Sequence, residues 1–264
     1  MASFHEDQAA GLRRLFRRAP PAVVAVHGTG HHGPQSTTAL ACRLARGALR
    51  VLMLDELGDG SVSPDGQPRL ELLHALDGRV APADLCLSLA PGVDRVAVAT
   101  TALTLPLLDD TRRARLVSVL ESLHRHAGFV LVRAGHGPRP SALVEAAPRQ
   151  LVLAEASGRG ATEAYAAIKR LAAMGAGSVM VAVARARGRQ DAASFFENLE
   201  ALVRRHVGVP LVWLGEMERD DLGQALAASG PASGPREASL AFLRWLANLG
   251  ARPLVGADVV GGRP

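Results

Sequence analysis

Short runs of β-forming apolar residues recur along the 264-residue chain, at 22–26 (AVVAV), 51–54 (VLML), 95–99 (RVAVA), 129–133 (FVLVR), 150–154 (QLVLA), 178–184 (SVMVAVA) and 210–214 (PLVWL). Helical patterns lie near 37–48, 69–76, 110–127, 161–174, 191–206 and 236–249. Apolar strands without an in-out alternation must be buried on both faces. Strands that alternate with helices are joined by crossovers. The chain is therefore expected to be α/β, a mostly parallel sheet with helices on both faces. Ligands of such sheets bind beyond the C-terminal ends of the strands. Those ends fall at His27 to Gln35, Asp55 to Gly58, Ala99 to Thr104, Arg133 to Gly137 and Glu155 to Gly160.

A chain of this length, 48% hydrophobic, can bury one large core. With 3% aromatic residues that core is made of Val, Leu and Ala. The net charge of +5 permits anionic partners and names none. Only Lys169 among the 30 basic residues is a lysine. Cys42 and Cys86 show neither CxxC nor metal-ligand spacing, so the expectation is a reduced, cytoplasmic protein without a metal. The first residues include Glu6 and Asp7 and no apolar h-region, unlike a signal peptide, and no run of 18 apolar residues occurs. The expected organisation is a basic amphipathic segment over 1–20, an α/β domain over 21–250 and a tail over 251–264, with Gly/Pro/Ser-rich breaks at 58–68 and 229–236.

The first strand runs into Gly28-Thr29-Gly30-His31-His32-Gly33-Pro34-Gln35-Ser36-Thr37 and then into a helical pattern. Strand, glycine loop and helix make a phosphate cradle: glycine lets the backbone approach an anion, and the helix start offers N–H donors. Against GxxxxGK[ST], Thr29 takes the first glycine position, Pro34 the second and Gln35 the lysine, while Ser36 keeps its type. The same residues also read as GxGxxG through Gly28, Gly30 and Gly33, with Asp55 near the offset of a ribose-binding acid, which is the dinucleotide fingerprint. A tight turn that binds nothing is the third reading. His27, His31, His32 and His136 gather at the ends of the first and fourth strands, with no carboxylate or cysteine at ligand spacing beside them. In the last helix Leu240, Phe242, Leu243, Trp245, Leu246 and Leu249 form an apolar stripe. That stripe fits either a core helix or contact with a membrane surface over 240–249.

Ahead of the first strand, Leu12, Leu15 and Phe16 fall at helical spacing among Arg13, Arg14, Arg17 and Arg18. The segment opens Asp7-Gln8-Ala9-Ala10-Gly11-Leu12-Arg13. This DQAxxLR pattern resembles that of the FlhG (FleN, YlxH) group of the MinD/ParA family of P-loop ATPases, regulators of bacterial flagellar number and placement. VLMLDELG, FVLVRAGHG, TEAYAAIKRLA and PLVWLGEMERDD resemble further stretches of that family, in order along most of the chain. The resemblance implies that Asp7, Gln8, Leu12, Arg13, Leu15 and Phe16 bind a flagellar signal-recognition-type GTPase, FlhF, and stimulate it. A flagellar transcription regulator is a further partner it suggests. It implies a cytoplasmic protein, or one peripheral at the inner face of the membrane or the cell pole, acting as a monomer or weak homodimer, with no sign of nucleic-acid binding.

The family's nucleotide residues are replaced. Its deviant motif KGGxGK[ST], laid on Gly30 to Ser36, puts Gly30 at the signature lysine and Gln35 at the phosphate lysine. The acid after the second strand is kept as Asp55 or Glu56, but Arg133 stands where the family has a Mg²⁺-positioning aspartate. A guanidinium stays protonated and repels a cation. Each lost charge-assisted bond removes roughly 1.5–3 kcal/mol. The expectation is a P-loop fold with an impaired or lost ATPase site and no cofactor, ATP and Mg²⁺ being bound only if that site still works. The active ATPase and the NAD(P)-binding protein are the alternatives.

Overall fold

Residues 21–46, 49–58, 70–229 and 234–249 are described in a computed structural model of the chain. The elements are β1 (Ala22–Gly28), α1 (Gly33–Ala45), β2 (Arg50–Asp55), α2 (Leu72–Leu76), β3 (Leu87–Ala90), β4 (Val93–Ala97), α3 (Ala99–Thr104), α4 (Asp110–His124), β5 (Ala127–Arg133), α5 (Ala142–Ala146), β6 (Gln150–Glu155), α6 (Gly158–Ala173), β7 (Val179–Ala184), α7 (Arg189–His206), β8 (Leu211–Glu216), α8 (Leu222–Ala228) and α9 (Gly234–Ala247). The strands form one sheet in the order β3-β4-β2-β5-β1-β6-β7-β8. All neighbours are parallel except β3, which turns back antiparallel on β4 at one edge.

The register decides what each face carries. Ala25 pairs with Gln150 and His27 with Val152, so these share one face. On it, Val23, Ala25, Leu54, Val96 and Val132 meet α2, α4, α5 and α9, while Val152, Ala154 and Val181 meet α6 and α7. On the other face Val24, Val26, Leu131 and Leu153 are covered by α1 and α8, through Leu40, Leu44, Leu222 and Leu226. At about 25 cal/mol per Å² of apolar surface, each fully buried Val or Leu contributes roughly 1.5–3 kcal/mol. Phe242, Leu243 and Leu246 of α9 belong to this core, with Trp245 and Leu249 packed against it, while Leu240 is exposed. Among the described residues no helix is long and apolar enough to cross a membrane.

Side-chain caps fix where several helices begin. Asp109 accepts from the Arg112 N–H at 2.7 Å, Ser141 from Val144 at 3.2 Å, Ser157 from Gly160 at 3.0 Å and Asp221 from Gln224 at 3.0 Å. Each such cap contributes about 1 kcal/mol. Three details differ from the sequence reading. The third strand is Val93–Ala97 rather than 95–99, because Pro91-Gly92, with Gly92 at φ +79°, makes a hairpin turn back to β3. The stretch 99–104, expected as a strand-end loop, is α3. The short helices α5 and α8 were not anticipated.

Candidate functional site

The β1–α1 turn is closed by two glycines in contact. A Cβ on Gly28 would lie 2.5 Å from the Gly33 carbonyl oxygen, and one on Gly33 would lie 2.7 Å from the Gly28 carbonyl carbon. Only hydrogen fits between the backbones. Four residues separate them, and α1 begins at Gly33 itself. The glycine frame of this loop is therefore Gly28 and Gly33, one residue earlier than the Thr29 and Pro34 frame read from the sequence. Thr37 reinforces it, its hydroxyl donating to the Gly33 carbonyl at 3.0 Å. Ser36 and Thr37 are buried, while Gln35 is exposed.

A phosphate loop works through its unpaired N–H groups, so their destinations matter. Here five of them are used within the protein. Thr29 N–H donates to the Leu153 carbonyl at 3.1 Å and Gly33 N–H to that of Gly30 at 3.4 Å. Ser36 N–H donates to His32 at 2.8 Å, and Pro34 has none to give. Two further donors meet carboxylates: Gly30 N–H donates to Glu163 Oε2 at 2.7 Å and His32 N–H to Glu155 Oε2 at 2.8 Å. The His32 imidazole lies 3.2 Å from the same Glu155 oxygen. Gly30 adopts φ +80°, and a Cβ there would stand 2.6 Å from that of Glu155. Glycine is needed both for the angle and for the approach. Burial works to raise the Glu155 carboxyl, but the His32 amide, the His32 ring and Ser157 outweigh it and hold it below the usual carboxylate range. Glu163 is held low mainly by Arg159, with the Gly30 N–H and the His136 charge adding to it. Both are ionised at neutral pH. Neither carried a motif in the sequence.

Beside the loop, β2 and β5 end in a charge cluster. Asp55 is fully buried, and its Oδ2 meets Arg95 at 2.5 Å and Arg133 at 3.1 Å. Its Oδ1 accepts the Leu57 N–H at 3.1 Å. Arg95 and Arg133 are themselves buried. The pairing register puts Asp55 opposite Arg133 and Met53 opposite Arg95, so the three side chains share the face under α1. Glu56 turns the other way. It accepts the Gly135 N–H at 3.0 Å and the Ser141 hydroxyl, tying the end of β2 to the β5–α5 loop. Burial raises its carboxyl above the usual range. The structure pairs Asp55 with Arg133, turns Glu56 away from them, and adds Arg95, which carried no motif in the sequence.

An acid committed to two guanidiniums is not offered to a ribose. NAD(H) and NADP(H) are accordingly expected to produce no thermal shift. Stabilisation by either cofactor that disappears in Asp55→Asn would restore the dinucleotide reading.

His27 lies between the two apolar clusters of its face, its Nε2 3.2 Å from the Gln150 Oε1. Its pKa is lowered to about 4, chiefly by burial, with the Gln150 bond opposing and the Arg170 charge assisting. An unfolded histidine titrates near 6.5. Between pH 6.5 and 4 the unfolded chain takes up a proton that the folded chain refuses, so stability falls as the pH falls. The loss is at most about 3 kcal/mol and is complete below the folded value. Urea unfolding across that window is expected to show this slope, and His27→Gln to lack it. His27, His31 and His136 line one cleft between the loop, the end of β5 and α6. His31 and His32 meet edge to face at 5.0 Å. Among the described residues no three ligand side chains converge as they would on a metal. Asp7, Gln8, Leu12, Arg13, Leu15 and Phe16 lie outside the described residues.

No protein-family model and no curated protein matches the chain. Solved structures do. An ATP complex of a McdA variant from Cyanothece superposes with TM-score 0.50 at 17% identity, covering 90% of this chain and 100% of that one. The MinD cell division protein of Aquifex aeolicus gives 0.49 at 15% identity, covering 88% and 98%. A ParA family ATPase from Chlorobium tepidum gives 0.48 at 16%, covering 85% and 98%. At such identities the likeness shows the fold alone: an α/β domain of MinD/ParA-like architecture.

Proposed function

We propose that the chain is an FlhG-like regulator of flagellar number or biosynthesis that has kept the MinD/ParA fold and lost ATP hydrolysis. One observation supports the loss: Asp55, one of the two strand-end acids, with Glu56, that the family resemblance assigns to nucleotide chemistry, is buried between Arg95 and Arg133. A divalent cation needs carboxylate or water oxygen at that place, and two guanidiniums exclude it by charge. The Gly28–Gly33 frame supports the same reading. Laid on GxxxxGK[ST] with Gly28 and Gly33 as its glycines, it puts Pro34 at the phosphate lysine, Gln35 at the hydroxyl residue and Thr29 at the signature lysine of the deviant motif. In either frame both lysines are missing.

What remains is binding, and the segment Asp7 to Arg18 is the part with a binding chemistry of its own. Leu12, Leu15 and Phe16, at helical spacing in the sequence, are the apolar residues proposed for a partner groove, with Arg13 and Arg14 for acidic groups. Gln8 carries an amide that can donate to one oxygen and accept from a water, as glutamines do when they position the attacking water of a GTPase. A peptide of residues 1–20 is expected to raise the hydrolysis rate of the flagellar signal-recognition-type GTPase on its own. Gln8→Ala should keep binding and lose stimulation, and Leu12→Asp should lose both. An inert peptide, with stimulation only by the intact protein, would overturn this assignment.

A further inference from the structure

Arg149 carries a buried charge with no counter-charge among the described residues. It stands just ahead of β6 and is 5% exposed, its backbone carbonyl accepting the Ala25 N–H at 2.9 Å. Its Nη1 donates to the Leu226 carbonyl in the last turn of α8 at 3.0 Å, and its Nε has no acceptor among the described residues. The polar side chains around it are settled. The Gln150 amide donates to the Val144 and Ala147 carbonyls at 2.8 and 3.0 Å, and the Ser229 hydroxyl to that of Ala225 at 2.7 Å. Burial lowers the Arg149 pKa from its ordinary value, yet a guanidinium stays protonated at neutral pH. A carbonyl takes up one N–H without cancelling the charge, and a buried cation left uncompensated is costly.

Arg149 lines a cleft of about 840 Å³, a volume in the range of small-ligand sites. The cleft opens where β6, β7 and β8 begin, at the end of the sheet opposite the β1–α1 loop. Parallel sheets bind their ligands at the other end, so the fold does not account for this one. Met174, Met180, Val212 and Trp245 give it apolar walls, Met180 buried, Trp245 half-buried and Val212 exposed on the edge strand. Methionine side chains adapt to apolar bodies of varied shape. Among the described lining residues Arg149 is the one base and Glu145, exposed, the one acid. One guanidinium beside one carboxylate favours a singly charged anion over a doubly charged one. A guanidinium also meets a carboxylate through two parallel N–H groups.

We propose that this cleft binds an organic monocarboxylate with an apolar body, its carboxylate paired with Arg149 and its body laid against Met174, Met180 and Trp245. The ligand supplies the counter-charge that the described fold lacks, so its binding stabilises the folded protein. This site is remote from the β1–α1 loop and does not depend on the flagellar reading, and its failure would leave the peptide experiment untouched.

The test uses the full-length Trp213→Phe protein, in which Trp245 is the one remaining tryptophan. It is titrated with octanoate below its micelle concentration, with acetate and 1-octanol as controls. Octanoate is expected to bind saturably, to change the Trp245 emission and to raise the melting temperature. Acetate lacks the apolar body and octanol the charge, so each should bind about tenfold more weakly or worse. Arg149→Met, which keeps the length and removes the charge, should weaken octanoate by about tenfold or more and leave octanol unchanged. Val212→Glu, at an exposed edge position, adds a second acid to the cleft and should weaken octanoate likewise, and it carries the test if Arg149→Met does not fold. No saturable octanoate binding, equal affinity for octanoate and octanol, or octanoate binding indifferent to these variants would each overturn the proposal.

Discussion

Asp55→Ala is expected to destabilise the protein by about 3–5 kcal/mol, the usual cost of breaking a buried charge pair on one side. Two buried guanidiniums, Arg95 and Arg133, share one oxygen of this carboxylate. Its removal leaves two cations in the sheet, on the strands β4 and β5 that flank β2. Against a total stability of about 5–15 kcal/mol for a native domain, this shifts the urea midpoint by a large fraction of its value. The companion variant separates charge from structure. Replacing all three residues together, as Asp55→Leu with Arg95→Met and Arg133→Met, removes the desolvation cost along with the pairing. It should return stability to near the wild-type value, as apolar replacements of buried ion clusters often do. If Asp55→Ala costs less than 1 kcal/mol, the cluster is solvated in solution. The strand-end acid is then free for other chemistry.

The fold was legible because its signal is redundant. Each of β1, β2, β5, β6 and β7 is an apolar run buried on both faces, and each is followed by enough chain for a crossover, while β8 is half exposed at the far edge. The hairpin strand β3 was missed since Leu87 and Leu89 are exposed at an edge and carry no burial pattern. Its one local mark is the Pro91-Gly92 turn. The loop was found but misframed by one residue. Glycine pairs are recognised by which backbones touch, and that contact is set by where α1 begins. Glu155 was placed at a strand end, but that it and Glu163 meet the loop was beyond reach for a different reason. They lie more than 120 residues from the loop, and only the pairing of β1 with β6 brings them to it. Arg95 shows the same limit: its burial follows from β4 lying inside an edge hairpin, not from its own neighbours in sequence.

These residues bear jointly on catalysis. On the proposed reading, the parts that phosphoryl transfer requires are replaced or spent. Five N–H donors of the loop are taken by Glu155, Glu163 and backbone carbonyls, the family's lysines are absent, and Asp55 is bound to arginine. Two lost lysines at roughly 1.5–3 kcal/mol each amount to two to four orders of magnitude in affinity, before the repulsion from two internal carboxylates is added. Single restorations should therefore fail, since Gln35→Lys or Pro34→Lys leaves Arg133 and both glutamates in place.

The most direct measurement is phosphate release from ATP by the purified full-length protein with Mg²⁺, at an enzyme concentration high enough to detect one turnover per hour. The proposed reading predicts a rate indistinguishable from buffer, unchanged in Ser36→Ala. Turnover above buffer that Ser36→Ala abolishes would show a working P-loop and contradict it.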